Sequence, residues 1–185
     1  MRFIVIDGLD AAGKDTQARL LEERYFKDDE DVIIRSHPCS DNTFGKKASI
    51  ALKGKGDFSR IRASLFFTLD VINSLLKIDD GAENVIFVRY LCSVAYLPEP
   101  LVRGTYDLLS RILPTSTYMF FLDVDPEDAM ERIDKREDRQ IFENERDLRK
   151  VRRRALSVLQ DWHVIDASRS AEDVQEKIQV ILDKN

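Results

Sequence analysis

Cysteine and histidine are scarce in this chain, two of each in 185 residues. Cys39 and Cys92 lie in different segments without metal-ligand spacing, and His37 and His163 are too few for a zinc site. A disulfide framework and a structural metal centre are therefore not expected, and reduced thiols in the cytoplasm are. Glycine (7) and proline (5) are also sparse, and no repeat, low-complexity segment or interdomain linker interrupts the pattern. No stretch approaches the roughly 18 apolar residues of a membrane span. The opening apolar run, Phe3 to Ile6, is too short for a signal peptide. An excess of positive charge is missing too. With 29 basic and 34 acidic residues the net charge is −5, which favours neither nucleic acid nor an anionic membrane as partner.

What is present is 43% apolar and 34% charged residues, enough chain for one domain with a full core and a highly charged surface. Apolar runs bounded by turn signals predict strands at Phe3–Ile6, Val32–Arg35, Val85–Val88, Tyr118–Val124 and His163–Ile165. Amphipathic stretches between them predict helices at Asp15–Tyr25, Lys46–Leu52, Arg60–Lys77, Leu101–Ile112, Pro126–Lys135, Glu145–Leu159 and Ala171–Leu182. Alternation of this kind means right-handed crossovers, an α/β class and a three-layer α/β/α architecture around a five-stranded parallel sheet. Ligands in such sheets bind beyond the C-terminal strand edges, where Gly8, Ser36, Arg89 and Asp125 would fall. The basic run ending in Lys150-Val151-Arg152-Arg153-Arg154 reads as a solvated helix face.

The most informative residues are Gly8, Leu9, Asp10, Ala11, Ala12, Gly13, Lys14, Asp15 and Thr16. A strand, a Gly-x-x-x-x-Gly-Lys loop and a helix make a phosphate cradle. The glycines let backbone N–H groups turn inward, the helix N-terminus adds partial positive charge, and Lys14 supplies a mobile cation for the β- and γ-phosphates. The hydroxyl residue that usually follows the lysine is Asp15 here, with Thr16 next.

Several segments in sequence order resemble the thymidylate kinases, P-loop nucleoside monophosphate kinases that phosphorylate dTMP from ATP. Asp7-Gly8-Leu9-Asp10 and Lys14-Asp15-Thr16-Gln17 are similar to the family's phosphate-loop entry and exit. His37-Pro38 with Phe44-Gly45-Lys46 resembles its substrate loop, and Arg89-Tyr90 with Ser93, Ala95 and Tyr96 matches most of a further segment. Leu122 to Glu127 and Ile165 to Ser168 complete the likeness. The resemblance implies the P-loop fold, ATP and magnesium (Mg2+) as cofactors, nucleotides as partners, and a homodimer through the helices Arg60–Lys77 and Leu101–Ile112. It also implies residue roles. Asp10 would bind the deoxyribose 3′-hydroxyl, Arg89 the acceptor phosphate, and Tyr96 would border sugar or base or serve as an ordinary core tyrosine. Phe67 would stack on the base, although Leu65-Phe66-Phe67 on a helix reads equally as core. Arg139 and Arg136, in a lid near 135–146, would neutralise the transferred phosphoryl group, and the loop at Ala167 would border the adenine. Arg35 could reach substrate or simply end its strand.

Three positions depart from the family pattern. An acid expected before the conserved-type arginine is Val88, two expected arginines are Ser40 and Val71, and Asp15 replaces a hydroxyl. Asp15 could ligate magnesium in place of the missing acid, or only cap its helix. The expected activity is ATP- and magnesium-dependent phosphorylation of dTMP to dTDP. Two alternatives stay open: a kinase for another monophosphate or small phosphorylated acceptor, and a nucleotide-binding protein with little or no kinase activity.

Overall fold

A computed structural model describes residues 1–26, 31–54, 56–78, 82–135 and 145–184. Its parallel strands are β1 (Arg2–Gly8), β2 (Val32–Ser36), β3 (Asn84–Val88), β4 (Tyr118–Asp123) and β5 (His163–Asp166), arranged β2-β3-β1-β4-β5. The helices among the described residues are α1 (Lys14–Arg24), α2 (Thr43–Leu52), α3 (Asp57–Leu75), α4 (Glu99–Ile112), α5 (Pro126–Asp134), α6 (Glu145–Val158) and α7 (Ala171–Leu182). A 3-10 turn, Leu91–Tyr96, follows β3 and has no counterpart in the sequence prediction.

Side chains alternate across each strand, so the short apolar runs supply two cores at once. Ile4, Ile6, Ile86, Val88, Phe120 and Leu122 face the layer containing α1, α5, α6 and α7. Phe3, Val5, Val85, Phe87 and Met119 face the layer containing α3 and α4. Ile4 pairs in register with Ile86, and Ile6 lies between Val88 and Phe120. Each of these fully buried aliphatic chains contributes about 1.5–3 kcal/mol relative to exposure. Because β1 is central and its neighbours leave in opposite directions, a crevice opens at its C-terminal end.

Element boundaries follow local chemistry. α2 begins three residues earlier than periodicity predicts because the Asn42 side chain caps it, accepting from Phe44 N and Gly45 N at 2.9 Å. Asp125 caps α5 as its position before Pro126 predicts, accepting from Glu127 N at 3.0 Å. The basic run on α6 is not all solvated. Arg152 grips Asp123 through Nε and Nη2 at 2.7 and 2.8 Å, and Arg154 is mostly buried with Nη1 donating to Leu97 O. Tertiary contact with strand and loop ends, which no charge count contains, turns these arginines inward.

Candidate active site

The loop between β1 and α1 owes its shape to a few backbone positions. Gly8 has φ of 151°, and a Cβ there would meet the Leu122 carbonyl oxygen at 2.5 Å, so β4 approaches too closely for any side chain. Ala11 and Gly13 are left-handed, at φ of 60° and 88°. Gly13 is the N-cap of α1 and offers no capping side chain, which leaves the first helical amides for a ligand. Lys14 is buried, and its ammonium donates to Gly8 O at 3.0 Å and to Leu9 O. Burial, and next the Arg89 charge, lower its pKa to about 8, leaving it a cation at neutral pH. The loop thus stores a positive charge against its own carbonyls, from which an incoming phosphate could draw it.

A cavity of about 350 Å³ opens beside the loop and is lined by Gly8, Asp10, Phe67, Arg89 and Tyr96 among others. Tyr96 donates to Asp10 Oδ2 at 2.7 Å; burial, then the Asp10 carboxylate, hold this phenol far above its ordinary range. Phe67 is buried and also walls the cavity, so its core and pocket readings coexist. Arg89 has a left-handed backbone (φ 64°) held by its N–H on Ile6 O. Its Nη1 donates to Ser36 Oγ at 3.2 Å and its Nη2 lies 3.3 Å from Asp15 Oδ2. Ser36 in turn donates to Asp15 Oδ1 at 2.6 Å. Burial pushes the Asp15 carboxyl up, but Arg89, Ser36 and Lys14 together hold it below the usual carboxylate range.

A buried hydrogen-bonded brace supports one cavity wall. Asp70 on α3 accepts from Cys39 N at 2.7 Å and from Asn42 Nδ2 at 2.6 Å. His37 Nδ1 donates to Arg89 O at 3.2 Å, so neutral His37 accepts from the Ser74 hydroxyl at Nε2, 3.0 Å away. Gly45 lets α2 sit against this loop, since a Cβ there would overlap Cys39 O. His37, Cys39 and Asp70 thereby bring potential metal ligands within 4.8 Å of one another, which their sequence spacing did not suggest. The nitrogens and carboxylate oxygens of this group are already spent on hydrogen bonds. Burial lowers the His37 pKa to about 4, against the pull of Asp70.

Of the residues singled out by sequence, Gly8 to Asp15, Phe67, Arg89 and Tyr96 converge here. Thr16 follows on an exposed position of α1. Arg35 does not join them. It pairs with Asp41 at 2.8 and 3.1 Å and is not among the residues lining the cavity. Ala167 is buried with its N on Asp123 O (2.7 Å) and its O on Arg132 Nη2 (2.9 Å), so its polar backbone atoms are already committed. Arg132 also reaches Ala11 O at 3.3 Å, tying the Ala167 loop to the phosphate loop. No sequence signal marked it. Arg60, Ala63 and Ser64 also line the cavity, and helical spacing from Phe67 could have found them. Arg136, Arg139 and the lid between 136 and 144 lie outside the described residues.

A family model described as thymidylate kinase matches residues 6–178. A probable thymidylate kinase of Archaeoglobus fulgidus is 30% identical, covering 98% of this chain and 94% of the relative. One of Thermococcus onnurineus is 31% identical, with 98% and 97% covered. The solved thymidylate kinase of Candida albicans, described as having broad substrate specificity, superimposes with a TM-score of 0.77 over 100% of this chain and 92% of its own, at 20% identity. That similarity identifies the fold as that of the P-loop NTPases.

The His37 environment makes stability depend on pH. A histidine pKa depressed to about 4 means the unfolded chain binds the proton first as pH falls below its ordinary 6.5. Its contribution is complete above 6.5 and is lost toward pH 4, by up to about 3 kcal/mol. Thermal melts from pH 7 to 4 are expected to show a shallower decline for His37→Gln than for the parent, whatever the variant's starting stability. Equal slopes would refute this account.

Proposed function

The chain belongs to the thymidylate kinase family and is a nucleoside monophosphate kinase, and from that premise we propose that it moves the γ-phosphoryl group of ATP, with magnesium, onto dTMP to give dTDP. One observation carries the reading. The amides and ammonium of the 8–16 loop and the Arg89 guanidinium converge at the end of β1 and β3, and the cavity opens beside them. Phosphoryl transfer asks the protein mainly for positioning and charge stabilisation, and this junction is built for both. The loop amides and Lys14 hold the donor phosphates. Arg89 presents its planar fork to the acceptor phosphate. Asp10, oriented by Tyr96, takes the 3′-hydroxyl, and Phe67 offers its face to the pyrimidine. An acceptor phosphate oxygen then attacks the γ-phosphorus in line while ADP departs.

The donor set suits a hard divalent ion at one carboxylate. Asp7 is buried and already accepts from Gly8 N, Tyr90 N and Cys92 N, and Asp10 is engaged by Tyr96. Asp15 is half-exposed at the start of α1, and its oxygens meet Ser36 and Arg89, contacts that a metal would replace. Asp15, with Thr16 next to it, would hold magnesium, which when bound offsets charge on the triphosphate oxygens. We also assign one kinase domain with a lid near 135–146, in which Arg139 and Arg136 close over the donor. The loop at Ala167 shapes the adenine end through packing, held by Arg132. The setting proposed is cytoplasmic, and no helix among the described residues is long and apolar enough to cross a membrane.

Two readings compete. Val71 is buried in α3 and Ser40 lies outside the cavity lining, so neither brings charge to the acceptor, which favours a kinase for another monophosphate. Val88 is wholly buried and cannot serve a metal, which favours a binding protein with little turnover. The intact cradle and Arg89 weigh against the latter.

Phe58, Ile61 and Leu65 on α3, Leu76 at its C-cap, and Leu101, Leu108 and Ile112 on α4 are exposed. We assign these faces to a homodimer. Sedimentation should show a dimer that Leu65→Asp converts to monomer; a monomeric parent would refute the assignment. In a coupled assay over dTMP, dUMP, CMP, UMP, AMP and GMP, dTMP is expected to turn over fastest, and Lys14→Ala to lose at least about 100-fold in kcat/KM. Faster turnover of another monophosphate would move the acceptor assignment, and a Lys14→Ala enzyme like the parent would sink the donor site. Asp15→Ala should need more magnesium for half-maximal rate, and an unchanged requirement would remove Asp15 from the metal.

A further inference from the structure

The carboxylate that meets Arg89 comes from an unexpected element. Val88, immediately before Arg89, is apolar and wholly buried, so β3 supplies no anion. The first turn of α1 supplies it instead. Asp15, Ser36 and Arg89 form a closed triangle: Arg89 Nη2 to Asp15 Oδ2 at 3.3 Å, Ser36 Oγ to Asp15 Oδ1 at 2.6 Å, and Arg89 Nη1 to Ser36 Oγ at 3.2 Å. The Arg89 backbone has little freedom, because its N–H is on Ile6 O and its carbonyl takes the His37 Nδ1 proton. With the backbone so fixed, Asp15 and Ser36 hold the guanidinium.

Resting on the kinase reading, we propose that Asp15 is a positioning residue for the acceptor. It is an internal anion that holds Arg89 beside the cavity and competes with the acceptor phosphate for it. Arg89 and Ser36 both line the cavity, so a phosphate entering it meets a guanidinium whose Nη2 is already paired with Asp15. A phosphate dianion is the stronger ligand for a planar fork than one carboxylate. Asp15 is about half exposed, so water can solvate its oxygens as Arg89 turns away. A ligand without a phosphate gains nothing from breaking the pair. The same triangle ties the first turn of the donor loop's helix to the acceptor's anchor, so the two nucleotide sites share one charge.

The test is calorimetric titration of dTMP and of thymidine into the full chain, with neither ATP nor magnesium present. Asp15→Asn and Asp15→Ser are expected to bind dTMP about five- to tenfold more tightly than the parent, the range for loss of one competing, partly screened charge. Thymidine affinity should stay unchanged, because the gain follows the phosphate. Two neutral variants with equal or weaker dTMP binding would overturn the inference, and so would an equal gain for thymidine. If dTMP binds neither parent nor variants, the acceptor assignment itself falls and takes this inference with it. Binding to the parent without a gain in the variants removes only the role of Asp15.

Discussion

A single buried carboxylate ties the two halves of the candidate site together. Asp7, at the end of β1, accepts from Gly8 N at 2.9 Å, Tyr90 N at 2.7 Å and Cys92 N at 3.0 Å. Gly8 opens the β1–α1 loop, and Tyr90 and Cys92 follow Arg89, so one side chain fixes the loop entry relative to Arg89. Burial pushes the Asp7 pKa up, and the amide donors with Lys14 only partly offset that cost. Anchoring of this kind is expensive in a low-dielectric interior and repays itself through geometry rather than stability. It adds to the Arg89 N–H on Ile6 O and to the β1–β4 pairing that sets Gly8 against Leu122.

Charge around this junction is balanced by pairing and not by number. Lys14 rests on loop carbonyls, Asp10 on Tyr96, and Arg89 on Asp15 and Ser36. Each group that would meet a phosphate or hydroxyl is held by a partner of moderate strength, so substrates exchange one interaction for another and desolvate little that is unpaired. α3 links this site to the surface. One of its faces carries Phe67 to the cavity and Asp70 and Ser74 to the brace under His37, while another leaves Ile61 and Leu65 exposed. The cavity wall and the proposed dimer face thus share one helix.

Much of this was legible in the chain. The strands Phe3–Ile6 and Val85–Val88 were readable because strands buried on both faces are nearly all apolar. The phosphate loop was readable because its glycines and Lys14 sit at fixed offsets that the chemistry requires. The dual nature of Phe67 was legible only as an ambiguity, since periodicity cannot tell a core face from a pocket wall. Ser36 was legible at its strand edge, but its pairing with Asp15 was not, nor was Arg132, because the partners lie 21 and 121 residues away.

By itself the sequence determined the layer order, the phosphate loop and the family likeness, since these rest on local spacing and on alternation along short segments. Tertiary structure decided that Arg35 turns to Asp41, that Ala167 has its polar atoms engaged, that His37 is buried neutral, and that Asp15 answers Arg89 in place of Val88. The physical reason is common to all four. A side chain's partner is set by which strand and helix ends meet at the sheet edge, and that meeting is a property of the packed chain and not of any one stretch of it.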